Sequence, residues 1–186
     1  LFLATGRWRY VIGGILAGAA GSVVCYFLFS HVRVRVDVFM NPWNSNYIDN
    51  MSNQITQSLF AISYGGPWGA GLGRGMPERI PFVVSDFIFS AVAEELGLIF
   101  ACCMIALCIN CFLDVLLLSE TYSNRFFRLY TFGVGVCYIF QTFVTVGGEV
   151  KFIPLTGVTL PFVSYGGSSV LSSLIMFAVT GAIFIL

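Results

Sequence analysis

The sequence predicts an all-helical, polytopic membrane protein with four transmembrane helices and one large loop, and three observations predict it. Hydrophobic residues make up 58% of the 186 residues and charged residues only 10%, where soluble domains carry about 25% charge. Mean hydropathy is correspondingly high, at +0.88. Uncharged runs long enough to cross a bilayer core, which takes about 20 helical residues, alternate with segments rich in Gly, Pro and charge. Nine basic and nine acidic residues balance, so no net field recommends nucleic acid as a partner. Membrane lipids are the expected surroundings.

The first span is 10–30, the 21 uncharged residues between Arg9 and His31. From 31 to 85 the chain turns polar and is too long for a simple connector, a length that usually signals function. Within it Met51, Ile55, Leu59 and Ile62 recur at helical spacing beside Gln54, Gln57 and Ser58, which predicts a short amphipathic helix lying at the interface. The glycines from Gly65 to Gly75 invite a phosphate-loop reading. No G-x-G-x-x-G register fits, because the sixth position is Arg74 counting from Gly69 and Met76 counting from Gly71, and no Walker lysine follows. The glycines are read instead as letting backbone pass close to a helix or a ligand.

The second span, 86–118, opens on the stretch Ser85 to Gly97, which carries Asp86, Glu94 and Glu95. On one continuous helix Glu94 sits about 80° round from Asp86 and about 12 Å deeper, with Glu95 on the opposite side. Asp86 and Glu94 are therefore placed to line one cavity. An ionised carboxylate in hydrocarbon costs about 2.5–3.5 kcal/mol even on the lenient scale, so such groups face protein or water and mark a site. The competing reading makes all three solvated helix-start residues, which suits the helix dipole.

The third span, 129–148, holds one internal amide, Gln141, and follows a connector with Arg125 and Arg128. The last 35 residues are uncharged, but Pro154, Gly157, Pro161, Gly166 and Gly167 do not fit a regular helix. Residues 149–167 thus read as a loop or re-entrant segment and 168–186 as the fourth span. Six cysteines (Cys25, Cys102, Cys103, Cys108, Cys111, Cys137) fall in apolar runs and read as free thiols. The chain opens Leu1-Phe2-Leu3 and stops inside an apolar run at Leu186, as a piece of a larger polytopic protein would. Charge leaves orientation open: Arg7, Arg9, Arg125 and Arg128 lie on one side, Arg33, Arg35, Arg74, Arg79 and Lys151 on the other.

The run from Ile153 to Ser169, IPLTGVTLPFVSYGGSS, resembles the signature of the SEDS family, the shape, elongation, division and sporulation proteins of bacteria. Asn41-Pro42-Trp43, Gln57-Ser58-Leu59, the alternate glycines Gly69, Gly71 and Gly73, Asp86-Phe87-Ile88-Phe89 and Glu94-Glu95-Leu96-Gly97 agree with it in order and spacing. The resemblance implies the C-terminal four helices of a ten-helix bundle, with loops 31–85 and 149–167 outside the bacterial cytoplasmic membrane. It implies a peptidoglycan glycosyltransferase that polymerises lipid II during division or elongation and pairs with a class B penicillin-binding protein.

Asp86 matches the family's essential aspartate, a general base for the acceptor sugar hydroxyl, with Glu94 and Ser85 supporting the cavity. The polyprenyl diphosphate leaving group calls for cations. Arg74, Arg79, Arg33, Arg35 and Lys151 are the candidates, and Gln57 with Ser164, Tyr165, Gly166, Gly167 and Ser168 of the signature completes the expected substrate site. No cofactor is evident, no cluster has metal-ligand spacing, and a divalent cation is left open. A transporter or flippase of the same lipid-linked precursor, or a non-enzymatic division scaffold, would need many of the same features.

Overall fold

The computed structural model describes residues 8–42 and 51–185; Leu1-Phe2-Leu3, Arg7, Trp43 and Leu186 lie outside them. Seven helices follow in order: α1 Trp8–Leu28, α2 Ser30–Met40, α3 Met51–Gly65, α4 Val83–Asp86, α5 Ile88–Thr121, α6 Arg125–Glu149 and α7 Gly167–Ile185, with a 3-10 turn at Pro77–Arg79. Among the described residues there is no strand. Among the described residues four helices are long and apolar enough to cross a membrane: Trp8–Leu28, Ile88–Thr121, Arg125–Glu149 and Gly167–Phe184. The protein is a multi-pass membrane protein.

The polar stretch 31–85 is largely folded. Its amphipathic segment forms α3, which packs into the bundle instead of lying along its edge. Ser52, Ile55, Ser58, Ala61 and Gly65 are buried, a stripe of mostly small residues at helical spacing that lets α3 approach α5 closely.

The second span is not one helix. The turn α4 ends at Asp86, and Phe87 (φ −129°, ψ 28°) separates it from α5. Phe87 is buried with Ala61 and Ile80, so the break sits where an aromatic ring is turned into the core. A second break falls at Gly97 (φ 90°, ψ 165°). In an unbroken helix the amides of Leu98 and Ile99 would bond the carbonyls of Glu94 and Glu95. Here the glycine loop inserts between them. Ala70 N and Gly71 N donate to Glu94 O and Glu95 O at 2.8 and 3.0 Å, and Leu98 N and Ile99 N donate to Gly66 O and Pro67 O at 2.9 and 3.3 Å.

Irregular backbone inside an apolar span is tolerated when its polar groups are satisfied by protein, and the loop meets that condition. The approach is close enough to demand glycine: a Cβ on Gly69 would fall on the Glu95 carbonyl, and one on Gly97 would lie 2.5 Å from both Gly69 N and Pro67 O. The sequence expectation that these glycines bring backbone against a helix is met here by α5.

Residues 150–166, between α6 and α7, form no helix. This loop is held from below by α6: Thr145 Oγ1 donates to Val158 O at 2.9 Å and Gln141 Nε2 to Thr159 O at 2.9 Å. Tyr165 N donates to Val84 O at 2.8 Å, joining the loop to the turn before Asp86. Three non-glycine residues have positive φ: Phe82 (61°), Lys151 (57°) and Phe162 (62°). Each costs about 1–2 kcal/mol, and all three lie in the turn or loop around Asp86. Phe162 is held by rings on two helices, its centroid 6.2 Å from Tyr138 and 5.2 Å from Phe177.

Candidate functional site

At the loop end of the bundle, the residues that the sequence suggests should act together divide between two places. The first is a cavity of about 490 Å³ whose walls include Gln57, Tyr64, Arg74, Arg79, Ile80 and Glu94. Glu94 is only 5% exposed. Its Oε1 accepts a bond from Met76 N at 2.9 Å, while Oε2 is buried without a partner. A carboxylate oxygen left so is costly, and the two arginines supply positive charge in the same cavity. On the far side of Gly75, Glu95 accepts a bond from Gly73 N at 3.1 Å and borders a second cavity that Arg79 also lines.

Asp86 is not in that cavity. Its carboxylate faces the signature loop, where a Cβ on Gly157 would stand 3.6 Å from Oδ2. Arg35 anchors the same stretch of loop, its Nη1 donating to Leu155 O and Thr156 O at 3.0 Å each. The expectation that Asp86 and Glu94 line one cavity is therefore corrected. It assumed 100° per residue from Asp86 to Glu94, and the break at Phe87 removes that phase relation.

Arg74 and Arg79 stand with Glu94, and Gln57 joins them from α3. Arg33 turns towards α1, donating to Phe27 O at 3.4 Å and lying 5.6 Å from the Tyr26 ring centre. Lys151 opens the signature loop in its left-handed conformation. Ser85 Oγ donates to Phe82 O at 3.2 Å and so closes the turn that leads to Asp86.

Within the signature, Ser164 is buried and its Oγ accepts a bond from Leu160 N at 2.9 Å, which shapes the loop from inside. Tyr165 is 81% exposed, Gly166 packs against Thr159, and Gly167 and Ser168 open α7 at the surface. The loop thus presents Tyr165 and Ser168 outward and uses Ser164 and Gly166 internally.

One polar cluster was missed by sequence reasoning. Glu149, the last residue of α6, is 0% exposed. Its Oε2 accepts bonds from Ser90 N at 2.8 Å and Ser90 Oγ at 2.7 Å, and its backbone O accepts one from Ser58 Oγ at 3.1 Å. Asp86 is near enough to act on Glu149 electrostatically. The only sequence signal is that Glu149 ends an uncharged run, which reads as a span boundary. Among the described residues no three His, Cys, Asp or Glu side chains gather as a metal site.

The family of cell cycle proteins named for FtsW, RodA and SpoVE matches residues 1–184. A peptidoglycan glycosyltransferase RodA of Mycobacterium tuberculosis is 39% identical over 183 residues, covering 98% of this chain and 39% of that protein. A probable peptidoglycan glycosyltransferase FtsW of Caulobacter vibrioides is 36% identical over 166 residues, covering 89% of this chain and 41% of that one. A solved chain from work on the structural coordination of polymerization and crosslinking by a peptidoglycan synthase complex superposes with a TM-score of 0.77 at 25% identity. That match covers 98% of this chain and 51% of the other. The chain spans about two fifths of the length of these curated relatives.

Proposed function

This chain belongs to the FtsW/RodA/SpoVE family of cell cycle proteins, and on that premise we propose that it is part of a peptidoglycan glycosyltransferase. The enzyme would polymerise lipid II into glycan strands in the bacterial cytoplasmic membrane, for division or elongation. The observation that carries the reading is the pairing of an open cavity, lined by the exposed Arg74 and Arg79 and the buried Glu94, with a carboxylate, Asp86, in a separate turn against the signature loop.

The chemistry needs both. Asp86 takes the proton of the acceptor sugar 4-hydroxyl as that oxygen attacks the anomeric carbon of the donor. A new C–O bond forms, the bond to the diphosphate breaks on the opposite face, and the configuration inverts. The electron pair leaves on the polyprenyl diphosphate, whose developing charge Arg74 and Arg79 receive through charge-assisted hydrogen bonds. Glu94 Oε2, unpartnered within the cavity, accepts a bond from a donor-sugar group and orients it. A class B penicillin-binding protein supplies the crosslinking, and no cofactor is assigned.

The test is polymerisation of purified lipid II by the full-length protein with its partner synthase, crosslinking being blocked by a β-lactam. Glycan polymer is expected. Runs with magnesium and with a chelator read whether a divalent cation takes part. Arg74→Ala combined with Arg79→Ala is expected to lower kcat/KM for lipid II about tenfold or more, since a hydrogen bond to a charged group is worth about 1.5–3 kcal/mol. If no polymer forms while the same protein moves labelled lipid II across vesicle membranes, the transporter reading replaces this one.

A further inference from the structure

Helix α5 begins at Ile88, one residue after the break that follows Asp86, and its N-cap residue Phe87 offers no side-chain cap. The first amides of any helix lack intrahelical partners, and here they are in the protein interior: Phe87, Phe89 and Ser90 are all buried. A buried amide left unpaired costs about 1–3 kcal/mol. The partner comes from another helix. Glu149 Oε2 accepts the Ser90 N–H, on the third residue of α5, together with the Ser90 hydroxyl. Ser58 of α3 closes the cluster, its hydroxyl 2.7 Å from that of Ser90.

Glu149 also stands where the signature loop begins. One carboxylate therefore ties the helix that follows Asp86 to the root of the loop whose Gly157 faces Asp86. The helix that follows Asp86 and the loop that faces it are fixed to each other at this point.

We infer that Glu149 is a positioning residue, capping α5 from α6 and thereby setting the Asp86 turn against the signature loop. The inference rests on the assignment of Asp86 as the base, and the experiment separates the two. Initial rates of lipid II polymerisation are measured against lipid II concentration for the full-length protein with its partner synthase, normalised to folded enzyme. The set comprises wild type, Asp86→Asn, Glu149→Ala, Glu149→Gln and Ser90→Ala.

A displacement near 1 Å at a reacting group can cost about 100-fold, so Glu149→Ala is expected to lower kcat about 10- to 100-fold while KM stays within about threefold. Glu149→Gln keeps an oxygen acceptor for Ser90 and is expected to recover kcat to within about fivefold of wild type. Ser90→Ala removes one of the donors and is expected to lower kcat about three- to tenfold, which decides the matter if Glu149→Ala does not fold. Wild-type kcat in both Glu149→Ala and Ser90→Ala, with Asp86→Asn inactive, overturns the positioning role alone. A Gln variant as slow as the Ala variant overturns it too, because the acceptor is retained. Normal turnover by Asp86→Asn overturns the base assignment and this inference with it.

Discussion

Asp86→Asn in the full-length protein is expected to abolish glycan polymerisation, lowering kcat at least about 100-fold, the lower end of what a positioned general base contributes. Folding and partner binding are expected to persist. Asn has nearly the same shape and cannot take a proton from a sugar hydroxyl. The turn that carries it is built on backbone bonds, from Ser85 N and Asp86 N to Phe82 O at 3.1 and 3.0 Å, and the substitution leaves these in place. Asp86 sits in a turn whose lead residue, Phe82, is strained, and strained backbone that persists next to a carboxylate is the pattern of a site held for function. The measurement is polymer length and yield from purified lipid II under a crosslinking inhibitor. Normal polymer from the variant makes Asp86 a structural residue and moves the transport and scaffold readings ahead.

Gly97→Ala is expected to be strongly destabilising, costing several kcal/mol and lowering the thermal midpoint of the full-length protein in detergent by many degrees. Three losses combine. An L-residue at φ 90°, ψ 165° is strained by about 1–3 kcal/mol. The added Cβ would lie 2.5 Å from Gly69 N and Pro67 O, so the loop must withdraw. Its withdrawal strands four backbone hydrogen bonds, each worth about 0.5–1.5 kcal/mol net and more if its partners stay buried. Gly181→Ala is the control, because nothing lies within 4 Å of a Cβ there, and it is expected to leave the midpoint unchanged. Equal midpoints for the two variants would show that the loop does not depend on close contact at Gly97.

The spans were legible because crossing a bilayer imposes a length and a composition that local sequence displays directly, and the four long helices lie where the uncharged runs do. The family was legible for a different reason, a signature of 17 consecutive residues, Ile153 to Ser169. The breaks were not. Phe87 lies in an apolar run without Pro or Gly, and it departs from the helix where its ring is buried against Ile80 and against Ala61 of another helix, a contact that the local sequence does not display.

A single glycine inside a helical pattern, as at Gly97, costs only about 1 kcal/mol against Ala and is ordinarily tolerated, so nothing local announces a rupture. That one unread break at Phe87 is enough to misplace Asp86 relative to Glu94. Glu149 was hidden by its position, since the first charge after an apolar run is expected in the headgroup layer, whereas here the amide and hydroxyl of Ser90 receive its carboxylate in the interior.

The glycine loop seated in α5 also has a mechanical consequence. Where the loop enters, the span no longer transmits a push or twist along its own ladder of bonds, because the rungs from Glu94 to Leu98 and from Glu95 to Ile99 are replaced by rungs to the loop. The short upper rod, which holds Glu94 and Glu95, is geared to residues 66–71 more directly than to the long lower rod that ends at Thr121. A displacement of that loop is therefore coupled to the two glutamates by direct hydrogen bonds to their carbonyls.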